Sequence, residues 1–213
     1  MIYAIGDIHG CLSHLEHLLE LVNPDLDRHQ LIFMGDYIDR GPHSAQVVDL
    51  IINLKKRYNP ENIICLMGNH ERMFLDYLDG KDEMLFLMNG GVTTTASYWG
   101  EHGDRLNRRL PSEHWDFYNT LKLYYETDDY IFVHAGLRPG LPLEVQQEED
   151  LLWIRKEFIS SDYDFGRRVI FGHTPMRSPL IRANKIGIDT GAVYGNKLTC
   201  VILPEEKFYA VSA

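Results

Sequence analysis

Five short apolar runs, each stopping at a polar residue able to bind a metal, most restrict what this chain can fold into. Ile2–Ile5 leads into Gly6-Asp7 and then His9, residues 31–34 into Gly35-Asp36, and residues 62–67 into Gly68-Asn69. Further along, Tyr130–Val133 leads into His134, and residues 169–171 into Gly172-His173. Two helical patterns separate the first three runs. Leu12, Leu15, Leu18, Leu19 and Val22 mark one apolar face; Val47, Val48, Ile51 and Ile52 mark another behind Ser44, an expected N-cap. The alternation predicts a βαβαβ unit with right-handed crossovers and a mostly parallel sheet. The carboxyl ends of such strands gather at one edge, where ligands bind.

The rest of the chain changes character. Residues 71–127 read as mainly helical, rich in aromatics and broken at Gly90-Gly91 and Pro111. Residues 186–188, 198–203 and 207–211 read as strands, the last two forming a hairpin across Pro204-Glu205-Glu206. A second, more antiparallel sheet packed on the first is expected. No repeat or linker divides the sequence, so one domain spanning residues 1–213 is expected. At 45% hydrophobic it can bury a core without staples. Cys11, Cys65 and Cys200 are too few and too scattered for a disulfide framework and read as small core fillers. The opening residues carry no basic leader, and no run approaches the roughly 18 apolar residues of a membrane span. A cytoplasmic protein without membrane partners is expected. The net charge of −10 argues against general nucleic-acid binding, and bound cations would offset part of it.

If the strand ends converge, Asp7, His9, Asp36, Asn69, His134 and His173 come together as two carboxylates, an amide oxygen and three imidazoles. Taken singly, each has an ordinary use as a cap, a turn residue or a hydrogen-bonded histidine. Together they suit two divalent ions such as Mn²⁺, with Fe²⁺ or Zn²⁺ also compatible, and Asp36 has two oxygens with which to bridge them. Arg40, four residues after Asp36, has the planar fork for a phosphate. His70 follows Asn69 and is a candidate acid for the leaving oxygen, with Asp39 to orient it. Either Arg138 or Arg155 is a candidate second phosphate clamp.

These motifs resemble those of the phosphoprotein phosphatase superfamily of calcineurin-like metallophosphoesterases. The segments are Gly6-Asp7-Ile8-His9-Gly10, Gly35-Asp36-Tyr37-Ile38-Asp39-Arg40-Gly41 and Gly68-Asn69-His70-Glu71, then His134-Ala135-Gly136 and Gly172-His173. The resemblance implies a four-layer α/β/β/α sandwich of two mixed sheets flanked by helices, with a dimetal site at one end. By position it implies Asp7, His9 and Asp36 for the first metal and Asp36, Asn69, His134 and His173 for the second. It further implies Asp39 and His70 as the acid pair, with Arg40 and, two residues after Trp153, Arg155 on the phosphate. A hydroxide bridging the metals would attack phosphorus directly.

The chain is similar to compact bacterial and phage serine/threonine phosphatases, which makes a phosphoprotein or small phosphomonoester the expected substrate. The symmetrical diadenosine tetraphosphate hydrolases share the architecture and a segment similar to Asp189-Thr190-Gly191-Ala192. They usually carry Gln where this chain has His9, so dinucleotide hydrolysis stands as the alternative. Tyr98, Trp99 and Arg105 are candidates for its base pocket, although core and surface are their expected places.

Overall fold

A computed structural model describes residues 1–100 and 109–212. Strand β1 (Ile2–Ile5) is followed by helix α1 (Leu12–Val22), β2 (Gln30–Phe33), α2 (Ser44–Arg57) and β3 (Ile63–Cys65). Four helices come next: α3 (Asn69–Leu78), α4 (Glu83–Phe86), α5 (Val92–Trp99) and α6 (Ser112–Asn119). Strands β4 (Tyr124–Glu126) and β5 (Tyr130–Val133) precede α7 (Glu148–Trp153) and α8 (Lys156–Ile159). The chain closes with β6 (Arg168–Phe171), β7 (Leu180–Ile181), β8 (Lys185–Gly187), β9 (Lys197–Leu203) and β10 (Lys207–Ser212).

The strands form two mixed sheets, ordered β10-β9-β1-β2-β3 and β4-β5-β6-β8-β7. Each holds three parallel neighbours, β1-β2-β3 in one and β5-β6-β8 in the other. Period-two alternation sorts their side chains into layers. Ala4, Ile32, Ile64, Phe132 and Ile170 fill the layer between the sheets. Their neighbours Ile5, Phe33 and Cys65 face the helices of the first sheet, whereas Val133 and Phe171 face those of the second. The result is the expected α/β/β/α sandwich.

Two expectations change. The β9–β10 hairpin forms, but it joins the first sheet, with β9 antiparallel to β1. A hairpin carries its own register, whereas its outer partner is set by which sheet edge offers apolar cover, a non-local property. Strand β4 also lies inside the stretch expected to be mainly helical, where it covers the edge of β5. All three cysteines are free, and burial pushes the Cys65 thiol up to about 11 and Cys200 up to about 12, consistent with inert fillers. Among the described residues, no helix is long and apolar enough to cross a membrane.

Because Ile170 lies in the layer shared by both sheets, Ile170→Ala should cost about 2–5 kcal/mol in urea unfolding. A cost below about 1 kcal/mol would mean that the sheets do not share a rigid core.

Candidate dimetal site

The two parallel triplets converge through direct bonds between their ends. His134, after β5, donates from Nδ1 to the Met34 carbonyl at the end of β2 (2.8 Å). Asp7, after β1, accepts the His173 backbone N–H with both oxygens, at 3.1 and 2.9 Å. Asp36 lies between. Its Oδ2 is 3.4 Å from His9 Nε2 and 4.0 Å from His70 Nε2, while its Oδ1 is 3.4 Å from His134 Nε2. Two sets of mutually close, buried donor atoms result: His9, Asp36 and His70, and Asp36, His134 and His173. Each set uses Asp36. Asp7 lies in neither, and His70 stands beside His9 where the sequence suggested Asp7.

The donor chemistry fits a pair of divalent cations. Burial pushes His9 down to about 3 and His173 down to about 2, and it lowers His134, so all three are neutral ligands at pH 7. His9 uses Nδ1 to donate to the Ile38 carbonyl (2.8 Å), as His134 does to Met34, which leaves each Nε2 lone pair facing the centre. The His134 Nε2 lies 3.0 Å from Asn69 Oδ1, so two acceptors converge on one point. Burial, then Asp189 and Asp36, raise the Asp7 carboxyl well above its usual range. Several buried carboxylates in one place require positive charge.

Arg40 and Arg155 supply some of that charge. Arg40 Nη1 donates to His9 Nε2 at 2.7 Å, and Arg155 Nε donates to His173 Nε2 at 3.1 Å. The two guanidinium groups thus sit at different histidines, one in each donor set. Arg138 does not reach the site, because its Nε and Nη2 donate to both oxygens of Asp150. Asp39 accepts from His70 Nδ1 at 2.6 Å, and both side chains are buried.

A tier of buried polar residues fixes these groups. Glu71 is the third residue of α3, and its carboxylate accepts the N–H groups of Asp36 (2.9 Å), Tyr37 (2.8 Å) and Gly68 (3.0 Å). It locks the loop after β2 to the loop after β3. A Glu at this helix position, able to reach back to the N-cap N–H, is a recognisable sequence signal. Ser44 is not an N-cap: its hydroxyl accepts from the Asp39 N–H and bonds to Thr94 Oγ1, which in turn donates to Asp39 Oδ1. Nothing local in the sequence marks Thr94. Asp189 follows β8 by two residues, is buried and accepts from the Gly191 N–H (2.9 Å). The strand-end rule that selected the other residues would have selected it too.

The backbone here is strained. His9, Asp36, Asp39, Arg40 and His173 all have positive φ, between 48° and 71°. For residues other than glycine this costs roughly 1 kcal/mol or more each. Gly68 must stay bare, since a Cβ would lie 2.2 Å from Asp36 Oδ1. Tyr98 and Trp99 do not form a base pocket: they pack on Phe74, and the Tyr98 hydroxyl bonds to His114 and Tyr118. Arg105 lies outside the described residues.

Glu71→Ala leaves three buried N–H groups unpaired, so it should lower stability by about 3 kcal/mol and weaken Mn²⁺ binding in calorimetry. A fully stable variant with normal Mn²⁺ affinity would deny Glu71 its fixing role. Wild-type protein should also melt several degrees higher with excess Mn²⁺ than with a chelator, because the folded state alone offers the assembled donors.

Comparison with known proteins agrees with this geometry. Residues 1–203 match the family model of calcineurin-like phosphoesterases. A serine/threonine-protein phosphatase 1 from Salmonella typhimurium is 34% identical, covering 93% of this chain and 89% of its own. A bis(5'-nucleosyl)-tetraphosphatase PrpE of the asymmetrical type, from Oceanobacillus iheyensis, is 28% identical and covers 98% and 91%. A solved structure provisionally assigned as a diadenosine tetraphosphatase superposes with a TM-score of 0.76 at 23% identity, covering 100% of this chain and 93% of that one. The chain belongs to the calcineurin-like phosphoesterase family.

Proposed function

We propose that this protein hydrolyses dinucleoside polyphosphates at a two-metal centre. The observation that carries this reading is the similarity, over nearly the whole chain, to tetraphosphatase relatives. These relatives are of the asymmetrical type, whereas the alternative from the sequence is the symmetrical type, and product analysis decides the cleavage position. Arg40 on His9 and Arg155 on His173 supply the guanidinium groups that would hold the phosphates. The 34% identity to a serine/threonine phosphatase favours a second reading, hydrolysis of phosphoserine or phosphothreonine.

In the proposed site, Asp7, His9 and Asp36 would hold one ion, and Asp36, Asn69, His134 and His173 would hold the other, with manganese as the proposed metal. Bound there, the ions would supply an activated water and neutralise charge on the phosphoryl oxygens. Arg40 and Arg155 bind and orient the phosphates. His70 directs Nε2 inward because Nδ1 is held by Asp39, whose other oxygen is fixed by Thr94. Asp39 thereby fixes the ring so that Nε2 is the atom placed to give a proton to the leaving oxygen.

With Mn²⁺, kcat/KM should be higher on diadenosine tetraphosphate than on a phosphothreonine peptide, and Asp36→Asn should abolish both. The reverse preference would favour the phosphoprotein reading. His70→Asn should slow an alkyl phosphate by about 10²–10⁴-fold and an activated aryl phosphate far less. Equal losses on the two would remove the acid role from His70.

A further inference from the structure

We propose that Trp153 and Tyr194 are two base-stacking platforms, one beside each arginine, that receive the nucleosides of the substrate. This assignment rests on the dinucleotide reading above. Trp153 ends α7 and remains 37% exposed, with its indole perpendicular to the His173 ring at 6.1 Å between centroids. Tyr194 is 61% exposed, and the Arg40 guanidinium lies over its ring at 5.5 Å. Each large exposed ring thus touches a residue of the centre, one in the His173–Arg155 half and one in the His9–Arg40 half. A chain of phosphates held between the two arginines would direct its ends towards these rings.

Both platforms are held in place before any ligand arrives, which lowers the ordering cost of binding. On one side, Asp150 of α7 is gripped by Arg138, and the Leu151 carbonyl accepts the Ala135 N–H at 2.9 Å, next to His134. On the other, Tyr194 closes a tight turn in which its N–H donates to the Gly191 carbonyl (3.0 Å). Asp189 fixes that turn through the Gly191 N–H, and the Thr190 hydroxyl donates to the Lys197 carbonyl (2.6 Å). The Asp189-Thr190-Gly191-Ala192 segment thereby acquires a function as the base of the tyrosine platform.

Charge distinguishes the occupant. Trp153 and Arg155 line a cleft of about 380 Å³, within the range of small-molecule sites. Its other walls include Gln147, Glu149 and Glu157, while Arg138 is neutralised by Asp150. The carboxylates repel a further phosphate, and they and the amide oxygen accept hydrogen bonds from ribose hydroxyls and exocyclic amines. Beyond Arg155, therefore, the site changes from anion-binding to a surface suited to an uncharged, donor-rich, flat group. A nucleoside has that chemistry.

The test compares Mn²⁺-loaded wild type, Trp153→Ala and Tyr194→Ala on diadenosine tetraphosphate and on p-nitrophenyl phosphate, which has no nucleoside. Each alanine variant should lower the ratio of the two kcat/KM values by about tenfold, mainly through KM for the dinucleotide. Trp153→Phe and Tyr194→Phe should recover most of the ratio, which loss of folding would not allow. If wild type cleaves the dinucleotide but the alanine variants lose equally on both substrates, the platforms are overturned and the dinucleotide reading stands. A loss in one variant only overturns the platform assigned to the other. If wild type cleaves only p-nitrophenyl phosphate, the dinucleotide reading fails and the platforms fail with it.

Discussion

The buried carboxylate of Asp36 is the constraint on which the remaining site depends. Its two oxygens face different imidazoles, His9 on one side and His134 on the other, each at 3.4 Å. An ionised carboxylate removed from water is costly unless its charge is matched. Here the groups that face it, neutral imidazoles and the His70 backbone N–H, come from the ends of strands in both sheets, and its charge is left for bound cations to match. The neutral state of the surrounding histidines follows from the same burial and makes them lone-pair donors instead of competing charges.

Holding such a residue requires a scaffold that tolerates local cost. Five site residues adopt left-handed backbone conformations, and Glu71 uses a whole carboxylate to secure three backbone N–H groups around them. Strain of this kind persists where surrounding bonds over-determine the geometry. The Ser44–Thr94–Asp39–His70 chain does the same on the opposite flank, joining α2 and α5 to the candidate acid. Rigid elements and satisfied polar partners keep the donors in register without help from exposed loops.

Much of this was legible in the sequence, for a physical reason. A parallel strand buried on both faces reads as a short apolar run, and its ligand-bearing end follows at once, so Asp7, Asp36, Asn69, His134 and His173 could be picked by placement alone. Their fixing partners were less visible. Thr94 differs from its neighbours Thr93 and Thr95 only in the direction it faces, and that depends on how α5 docks. Whether Arg138 or Arg155 reached the centre turned on Asp150, which captures Arg138. The sheet joined by the β9–β10 hairpin depended on which edge β1 left open, and no local pattern encodes that. Tyr98 and Trp99 belong to the core, while the exposed rings beside the arginines come from α7 and the turn after Asp189.

With both donor sets filled, Asp36 would join two cations through its separate oxygens. Electron paramagnetic resonance of the protein loaded with two equivalents of Mn²⁺ tests it most directly. The account predicts the spectrum of a spin-coupled manganese pair, replaced in Asp36→Asn by signals of isolated ions. Isolated, uncoupled Mn²⁺ in the wild-type protein at full occupancy would contradict it.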